Sequence, residues 1–375
     1  MKRLFKKNNQ SLRIIGTLLT IIMLFTVFTA CTVKDKDQTA GTDRGTALQT
    51  EETSSNEKET QENSNKSNDI EEESTKNTVG DTTSQVEEST NIFPLKVIDA
   101  NGAEVEIEKK PERIVSLTLT TDEMLLSLVD KKRITALSHL SDDPGLSNVV
   151  KEAAEIPVKA RLELESLISM QPDLIIVADW TDENSVKQLR DANITVYSLA
   201  TPNNIDEVKD AVFKVSELVG EKEKGQEIVD WMDEKLKAVE DKVKTLKEND
   251  KLKALYYDSY LCTYGKGSTF DDITKKAGII NLASEQGMGM FQEISKEKIV
   301  ELNPDILLLP SWSYEGFDAE QFTKDFKNDK SLATINAIKN DRVFNLPDAH
   351  IITTSQNIVL AVEDVARAAY PELFK

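Results

Sequence analysis

The sequence predicts an α/β protein of two similar lobes with largely parallel sheets, joined by one long helix, with a ligand cleft between the lobes. Three observations carry this reading. The segment Glu165-Ser-Leu-Ile-Ser-Met-Gln-Pro172-Asp173-Leu-Ile-Ile-Val-Ala-Asp-Trp180 has a counterpart in Glu297-Lys-Ile-Val-Glu-Leu-Asn-Pro304-Asp305-Ile-Leu-Leu-Leu-Pro-Ser-Trp312, at a constant offset of 132 residues. In each copy an amphipathic helix stops before Pro-Asp, and the apolar run that follows reads as a strand buried on both faces. Around both copies strand and helix patterns alternate, which implies parallel pairing. Between the halves, Glu221 to about Leu246 is charged on one side and places Ile228, Trp231, Leu236, Val239, Val243 and Leu246 at helical spacing on the other. That pattern is one helix of roughly 25 residues, about 40 Å long, which should keep any closure of the lobes small.

Taken in order, Ile92 to Ile107 reads as a hairpin: Leu95 and Val97 alternate, Asp99-Ala-Asn101-Gly102 turns, and Val105 and Ile107 alternate back. Pro111 to Leu117 is a short buried strand, followed by a polar loop from Thr118 to Thr121. Asp122 and Glu123 then open a helix, where carboxylates suit the positive end of the helix dipole. A strand from Arg133 to Ser138 empties into His139-Leu-Ser-Asp142-Asp143-Pro144, and after the first Pro-Asp strand a helix near Glu183 to Asp191 leads to a strand from Ile194 to Leu199. The second half repeats the scheme: strand Leu252 to Tyr257, a loop to Ser268, a helix near Asp271 to Ala277, a loop Gly287 to Phe291, the second copy of the repeat, a strand Arg342 to Leu346, the loop Pro347 to His350, and a last helix to Tyr370. Gly265-Lys-Gly-Ser-Thr269 lacks the residue order of a phosphate loop and reads as a turn.

The N-terminus carries Lys2, Arg3, Lys6, Lys7 and Arg13, then an uncharged apolar run from Ile14 to Ala30 and Cys31. This is a secretory signal built for lipid attachment at Cys31, and it resembles a bacterial lipoprotein box except that Phe28 stands where an aliphatic residue is usual. An uncleaved membrane anchor is the alternative. Residues 32–91 are almost entirely polar and charged, the composition of a disordered tether, and about 60 such residues reach on the order of 40 Å. The expected organisation is a signal over 1–30, a lipidated cysteine and acidic tether over 31–91, an N-terminal lobe over 92–220, an interlobe helix over 221–248 and a C-terminal lobe over 249–375. Loss of the five basic residues in the signal takes the 46 lysines and arginines to 41 against 66 acidic residues, a balance of −25. Nucleic acid and anionic lipid are thereby disfavoured as partners. With Cys31 lipidated, Cys262 has nothing to pair with and reads as a small buried hydrophobe.

Ligands of open α/β sheets bind beyond the carboxyl ends of the strands, so Trp180 and Trp312 are expected on opposite walls of one cleft; the alternative is that each is a core residue beginning the next helix. Several elements together resemble the helical-backbone substrate-binding proteins of ABC importers for ferric siderophores, haem and cobalamin. They are Pro111-Glu-Arg113-Ile-Val-Ser-Leu117, Asp122-Glu123-Met-Leu, Ser138-His-Leu-Ser-Asp142-Asp-Pro144, the paired Glu-plus-Pro-Asp segments, and Asp271-Asp-Ile with Ala277-Gly278-Ile-Ile-Asn281. The likeness runs from about Phe93 to the C-terminus. It implies that Glu165 and Glu297 dock on arginines of an ABC permease dimer, which works with its ATPase subunits. The other reading is that they only favour the helix dipole, with Glu163 a competitor in the first copy. By loop position the resemblance points to Trp180, Tyr260, Trp312 and Tyr314 as ligand walls. It places Arg161 on an oxygen-rich ligand centre, although an ordinary surface charge fits equally. His350 and His139, on loops facing the expected cleft, are candidates to ligate haem or cobalt, or else are simply solvated. Met288 and Met290 would form an adaptable lip.

No cluster of His and carboxylates suits a zinc or manganese carrier, and no nucleophile elbow or metalloprotease motif suits a hydrolase. The expected protein is therefore a monomeric, lipid-anchored receptor on the outer face of the cytoplasmic membrane. It would need no cofactor or resident metal, would perform no catalysis, and would capture a bulky metal chelate for import. A surface adhesin or sensor, or an extracellular enzyme, is the alternative.

Overall fold

The computed structural model describes residues 92–375, so the signal, Cys31 and the tether lie outside the described residues. The chain opens with the antiparallel hairpin β1 (Leu95–Ile98) and β2 (Glu104–Ile107), buried on the Val105 and Ile107 side. The first lobe follows as β3 (Ile114–Ser116), α1 (Leu119–Leu128), β4 (Ile134–Ser138), β5 (Lys159–Ala160), α2 (Leu164–Ser169), β6 (Leu174–Ala178), α3 (Glu183–Asp191), β7 (Val196–Leu199) and α4 (Ile205–Leu218). The connector α5 (Lys222–Val243) leads to β8 (Lys253–Tyr256), β9 (Cys262–Thr263), α6 (Thr269–Lys276), β10 (Ile280–Asn281), β11 (Gln292–Glu293), α7 (Lys296–Leu302), β12 (Ile306–Leu309), α8 (Ala319–Asn328), β13 (Val343–Asn345) and α9 (Ile358–Ala369). The first sheet has the order β5-β4-β3-β6-β7 and the second β10-β8-β12-β13, every pairing in both being parallel. The second order is the first without its outermost strand.

The repeated Pro-Asp has a structural reason. Gln171 and Asn303 both take left-handed conformations, with φ of 49° and 47°, and end α2 and α7 before the prolines. Asp173 then accepts the backbone amides of Glu112 at 2.8 Å and Arg113 at 2.9 Å, just before β3, while Asp305 accepts that of Lys253 at 3.1 Å, at the start of β8. Each aspartate thus fixes the register of its own strand against the neighbouring one. Along β6, Leu174 and Ile176 join one core cluster and Ile175 and Val177 another; along β12, Ile306 and Leu308 join that same first cluster and Leu307 and Leu309 a third. The shared cluster also takes Val212 of α4, Val229 and Met232 of α5, Ile273 of α6 and Val362 of α9, so one layer of helices serves both sheets. Burying each such aliphatic side chain is worth about 1.5–3 kcal/mol.

Several expectations need correction. The connector has 22 residues, about 33 Å at 1.5 Å per residue, and its most buried stripe includes Val229 and Met232, while Ile228, Trp231 and Leu236 flank it. The segment Pro347 to His350 is not a plain loop, since Asp348–Ile351 forms a helical turn. The loops after β8 and before α7 are tied together, because β9 and β11 pair antiparallel. Gly265 to Ser268 is a turn as expected: Ser268 caps α6 by accepting the amide of Asp271 at 3.1 Å. Cys262 is buried, and that burial pushes its thiol pKa up.

Asp122 and Glu123 are fully buried rather than exposed at a helix start. Thr118 caps α1 by accepting the amide of Thr121, so the helix begins at Leu119 and both carboxylates lie inside its first turns. Asp122 accepts the amide of Ser138 at 3.0 Å and its hydroxyl as well, linking α1 to the end of β4. Burial pushes its pKa up to about 7 despite these hydrogen bonds. Between the ordinary carboxylate range and that value the folded protein holds a proton that the unfolded chain has released, so stability falls as pH rises through this window. Asp122→Asn keeps an acceptor for the Ser138 amide and abolishes the titration. Urea unfolding of wild type, compared with this variant, should show the wild type losing on the order of 3 kcal/mol relative to it between pH 4 and pH 8; parallel pH profiles would mean that Asp122 ionises as an ordinary carboxylate.

Candidate functional site

The carboxyl ends of both sheets open toward the same junction, where first-lobe loops meet second-lobe loops and the segment running into α9. Glu123 is central to it. Its carboxylate accepts the backbone amide of Asn148 at 2.9 Å and the side-chain amides of Asn148 at 3.1 Å and Asn357 at 2.9 Å. The hydroxyls of Thr353 and Ser355 also donate to it. A buried carboxylate with this many donors is satisfied without a cation. Asn148 further donates to the carbonyl of Ala349 at 2.7 Å, and the Thr120 and Thr354 hydroxyls share a hydrogen bond, so the segment following β13 is fastened to the first lobe.

Two small cavities flank this seam. One, about 100 Å³, is lined by Thr118, Thr120, Trp180, Thr201, Pro202 and Thr354 among others. The second, about 90 Å³, has walls that include Tyr256, Tyr260, Tyr264, Trp312, Tyr314 and Asp348. Neither lining contains a lysine or arginine. The aromatic wall of the second cavity is held from behind by two buried aspartates. Asp258 accepts the amides of Tyr260 at 2.9 Å and Cys262 at 2.8 Å with one oxygen and the hydroxyl of Tyr264 at 2.9 Å with the other. Asp348 accepts the Tyr256 hydroxyl at 2.9 Å and the amides of Ser311 at 2.8 Å and Trp312 at 2.7 Å. Burial, and then the charge of Asp348, holds the Tyr256 phenol well above its ordinary pKa, so it stays a donor. The Trp312 and Tyr314 rings lie 4.7 Å apart, and Tyr314 stacks on Phe317 at 5.2 Å.

Of the residues singled out in the sequence, Tyr260, Trp312 and Tyr314 come together on one wall, and Trp180 lines the other cavity with 76% of its surface exposed. Neither tryptophan is a core residue. Arg161 and His350 line neither of these cavities. The Nδ1 atom of His350 lies 2.6 Å from Asp364 of α9, which makes this histidine a strut between two helices. Arg161 is exposed, and its charge, after desolvation, keeps the imidazole of His139 below its usual pKa. Among the described residues, no group of three or more His, Cys, Asp or Glu is placed to hold a metal ion. Glu165 and Glu297 are both the second residue of their helices and both exposed, matching positions in the two copies of the repeat. The own amide of Glu297 and the Ser295 hydroxyl hold its carboxyl below the ordinary range. Glu163 precedes α2 and makes no side-chain cap. Met288 is buried and Met290 exposed beside Phe291, which leans on Tyr264 at 5.3 Å, so one methionine of the suggested lip faces solvent. Sequence reading missed Asp258 and Asp348; the only local signal was Asp258 at the head of an aromatic-rich loop, and nothing near Asp348 marks it.

A family profile described as "Periplasmic binding protein" matches residues 114–349. An uncharacterized ABC transporter substrate-binding lipoprotein of Bacillus subtilis is 26% identical over 78% of this chain and 90% of its own length. A cobalamin-binding protein of Halobacterium salinarum is 23% identical over 58% of each chain. The solved structure of the molybdate-binding protein MolA of Haemophilus influenzae, with molybdate bound, superposes at a TM-score of 0.64 with 22% identity, covering 75% of this chain and 92% of its own.

The support behind the aromatic wall is testable. Asp348→Ala leaves the Tyr256 hydroxyl and the Ser311 and Trp312 amides without their acceptor. It should cost about 2–4 kcal/mol in urea unfolding and alter tryptophan emission; unchanged emission would detach Asp348 from the placement of Trp312.

Proposed function

The chain belongs to the periplasmic binding protein family, and from that premise we propose that it captures a bulky metal chelate between its lobes and delivers it to an ABC permease dimer powered by ATPase subunits. The observation that carries this is the pairing of exposed Trp180 on one lobe with the braced Tyr260, Trp312 and Tyr314 wall on the other. Flat aromatic faces suit a corrin, a porphyrin or an aromatic siderophore, and no bond is made or broken. Ferric siderophore and cobalamin are the preferred cargoes, with haem a further candidate. Capture in the micromolar to nanomolar range corresponds to about −8 to −12 kcal/mol, within reach of several aromatic contacts and a few oriented polar groups.

Cavities of about 100 and 90 Å³ are below the roughly 300 Å³ usual for such ligands, and their size favours a small oxyanion such as the one in the solved relative. Against that reading, the linings offer threonine hydroxyls and carboxylates with no cation. A chelate would instead enter with some separation of the lobes.

Glu165 and Glu297 serve as docking points in this proposal. Two like charges at matching positions in the two halves fit a two-fold permease. Cys31 carries the lipid that keeps a monomeric receptor at the outer face of the membrane, and the acidic tether gives it reach.

Tryptophan-fluorescence titration of the full chain with cobalamin, haemin, a ferric hydroxamate, a ferric catecholate and molybdate tests the reading. One chelate should saturate at submicromolar concentration; binding to molybdate alone would replace the chelate by an oxyanion, and no binding at all would favour an adhesin or sensor. Trp312→Ala or Trp180→Ala should weaken the chelate about tenfold, the weight of one aromatic contact. Glu165→Ala with Glu297→Ala should leave that affinity unchanged while lowering cellular uptake; intact uptake would remove the docking role.

A further inference from the structure

We propose that Trp312 is a latch as well as a wall: it fastens the second lobe to the first through Asp143 and Gly145, and this contact governs how readily the cleft admits cargo. The inference rests on the reading of the cleft as the cargo site. Trp312 follows β12, a second-lobe strand, whereas Asp143 and Gly145 follow β4 in the first lobe. The indole Nε1 donates to Asp143 Oδ2 at 3.2 Å, and the other oxygen of that carboxylate accepts the Gly145 amide at 2.8 Å. Asp143 therefore shapes the turn that receives the ring and supplies the acceptor that holds it.

The glycine points the same way. Gly145 is not among the residues with positive φ, so no left-handed backbone calls for glycine here. What bars a side chain is the indole: a Cβ at this position would lie 2.1 Å from Trp312 Cδ1 and 3.0 Å from both Cγ and Nε1. Glycine is needed here so that a tryptophan from the other lobe can lie against the main chain. On its own side the ring is held from two directions, by the Asp348 carboxylate under its amide at 2.7 Å and by the Tyr314 ring at 4.7 Å. Because the contact spans the lobes, a ligand larger than the flanking cavities has to break it. The latch thus selects against solutes too weakly bound to offset its loss, and Asp143 and Gly145 are specificity-determining residues that need never touch cargo.

The test separates latch from wall by leaving Trp312 in place. In a Trp180→Phe, Trp231→Phe background of the full chain, Trp312 is the sole tryptophan and is excited selectively at the red edge of absorption. Gly145→Ala should displace the ring, and Asp143→Ala should release its N–H. Both should raise acrylamide quenching of Trp312 without added solute, with melting curves confirming that each variant is folded. On the otherwise wild-type chain, the same two substitutions should tighten cobalamin or ferric hydroxamate binding by up to about tenfold, mainly through faster association, because the fraction of receptor competent to bind rises when a hydrogen bond to a charged acceptor is removed. Unchanged quenching in both folded variants, or weaker chelate binding in both, would overturn the latch. Raised quenching with no chelate bound by any variant or by wild type would leave the latch standing and defeat the carrier reading instead.

Discussion

A strand with no solvent-facing side must be covered twice, and that requirement organises this protein. Leu174 to Ala178 and Ile306 to Leu309 are buried along their whole length. Alternate side chains of each therefore need separate layers. The outer layers are private to each lobe, whereas the inner layers merge into one cluster fed by α4, α5, α6 and α9. The connector is thus part of the core rather than a strap across its surface, and its length matters less than the burial of Val229, Met232, Val239 and Val243. Both sheets are held with their carboxyl ends facing one seam, and that seam is where an α/β architecture leaves loops free to take up chemistry.

At the seam the dominant motif is a buried carboxylate surrounded by donors. Glu123, Asp258 and Asp348 each gather at least three hydrogen bonds from amides or hydroxyls, and each thereby positions a loop that packing alone would leave loose. At Asp122 the hydrogen bonds from Ser138 and Ser116 do not offset the cost of burial, and its pKa is raised. Tyr256, Tyr260, Tyr264 and Trp312 are accordingly held at a main-chain amide or a hydroxyl by Asp258 or Asp348, while Trp180 stands exposed without such a brace.

Much of this architecture was legible in the sequence because duplication doubles each local signal. The two sheets, the Pro-Asp junctions, the connector and the paired glutamates all follow from period and offset. What escaped was every feature that depends on a partner distant in the chain. Asp122 and Glu123 look like ordinary first-turn carboxylates, since nothing local reveals that Ser138 and the segment Thr353 to Asn357 will enclose them. His350 looks like a loop ligand until α9 brings Asp364 to its ring. Trp312 was identified as a wall, but Asp143 lies 169 residues before it, and a glycine made necessary by another lobe's indole is invisible beside glycines needed for turns.

The merged inner layer also bears on how such a chain can be cut. Ancestral duplication ordinarily leaves two modules that fold and melt on their own. Here, severing the chain after Val243 would part α4 and α5 from α6, and α5 from α9, helices that pack on one another inside a single core cluster. Each fragment would carry a greasy face seeking its complement. The two halves repeat one pattern yet share one inner core, so heat should dismantle residues 92–375 in one cooperative step in spite of their internal symmetry.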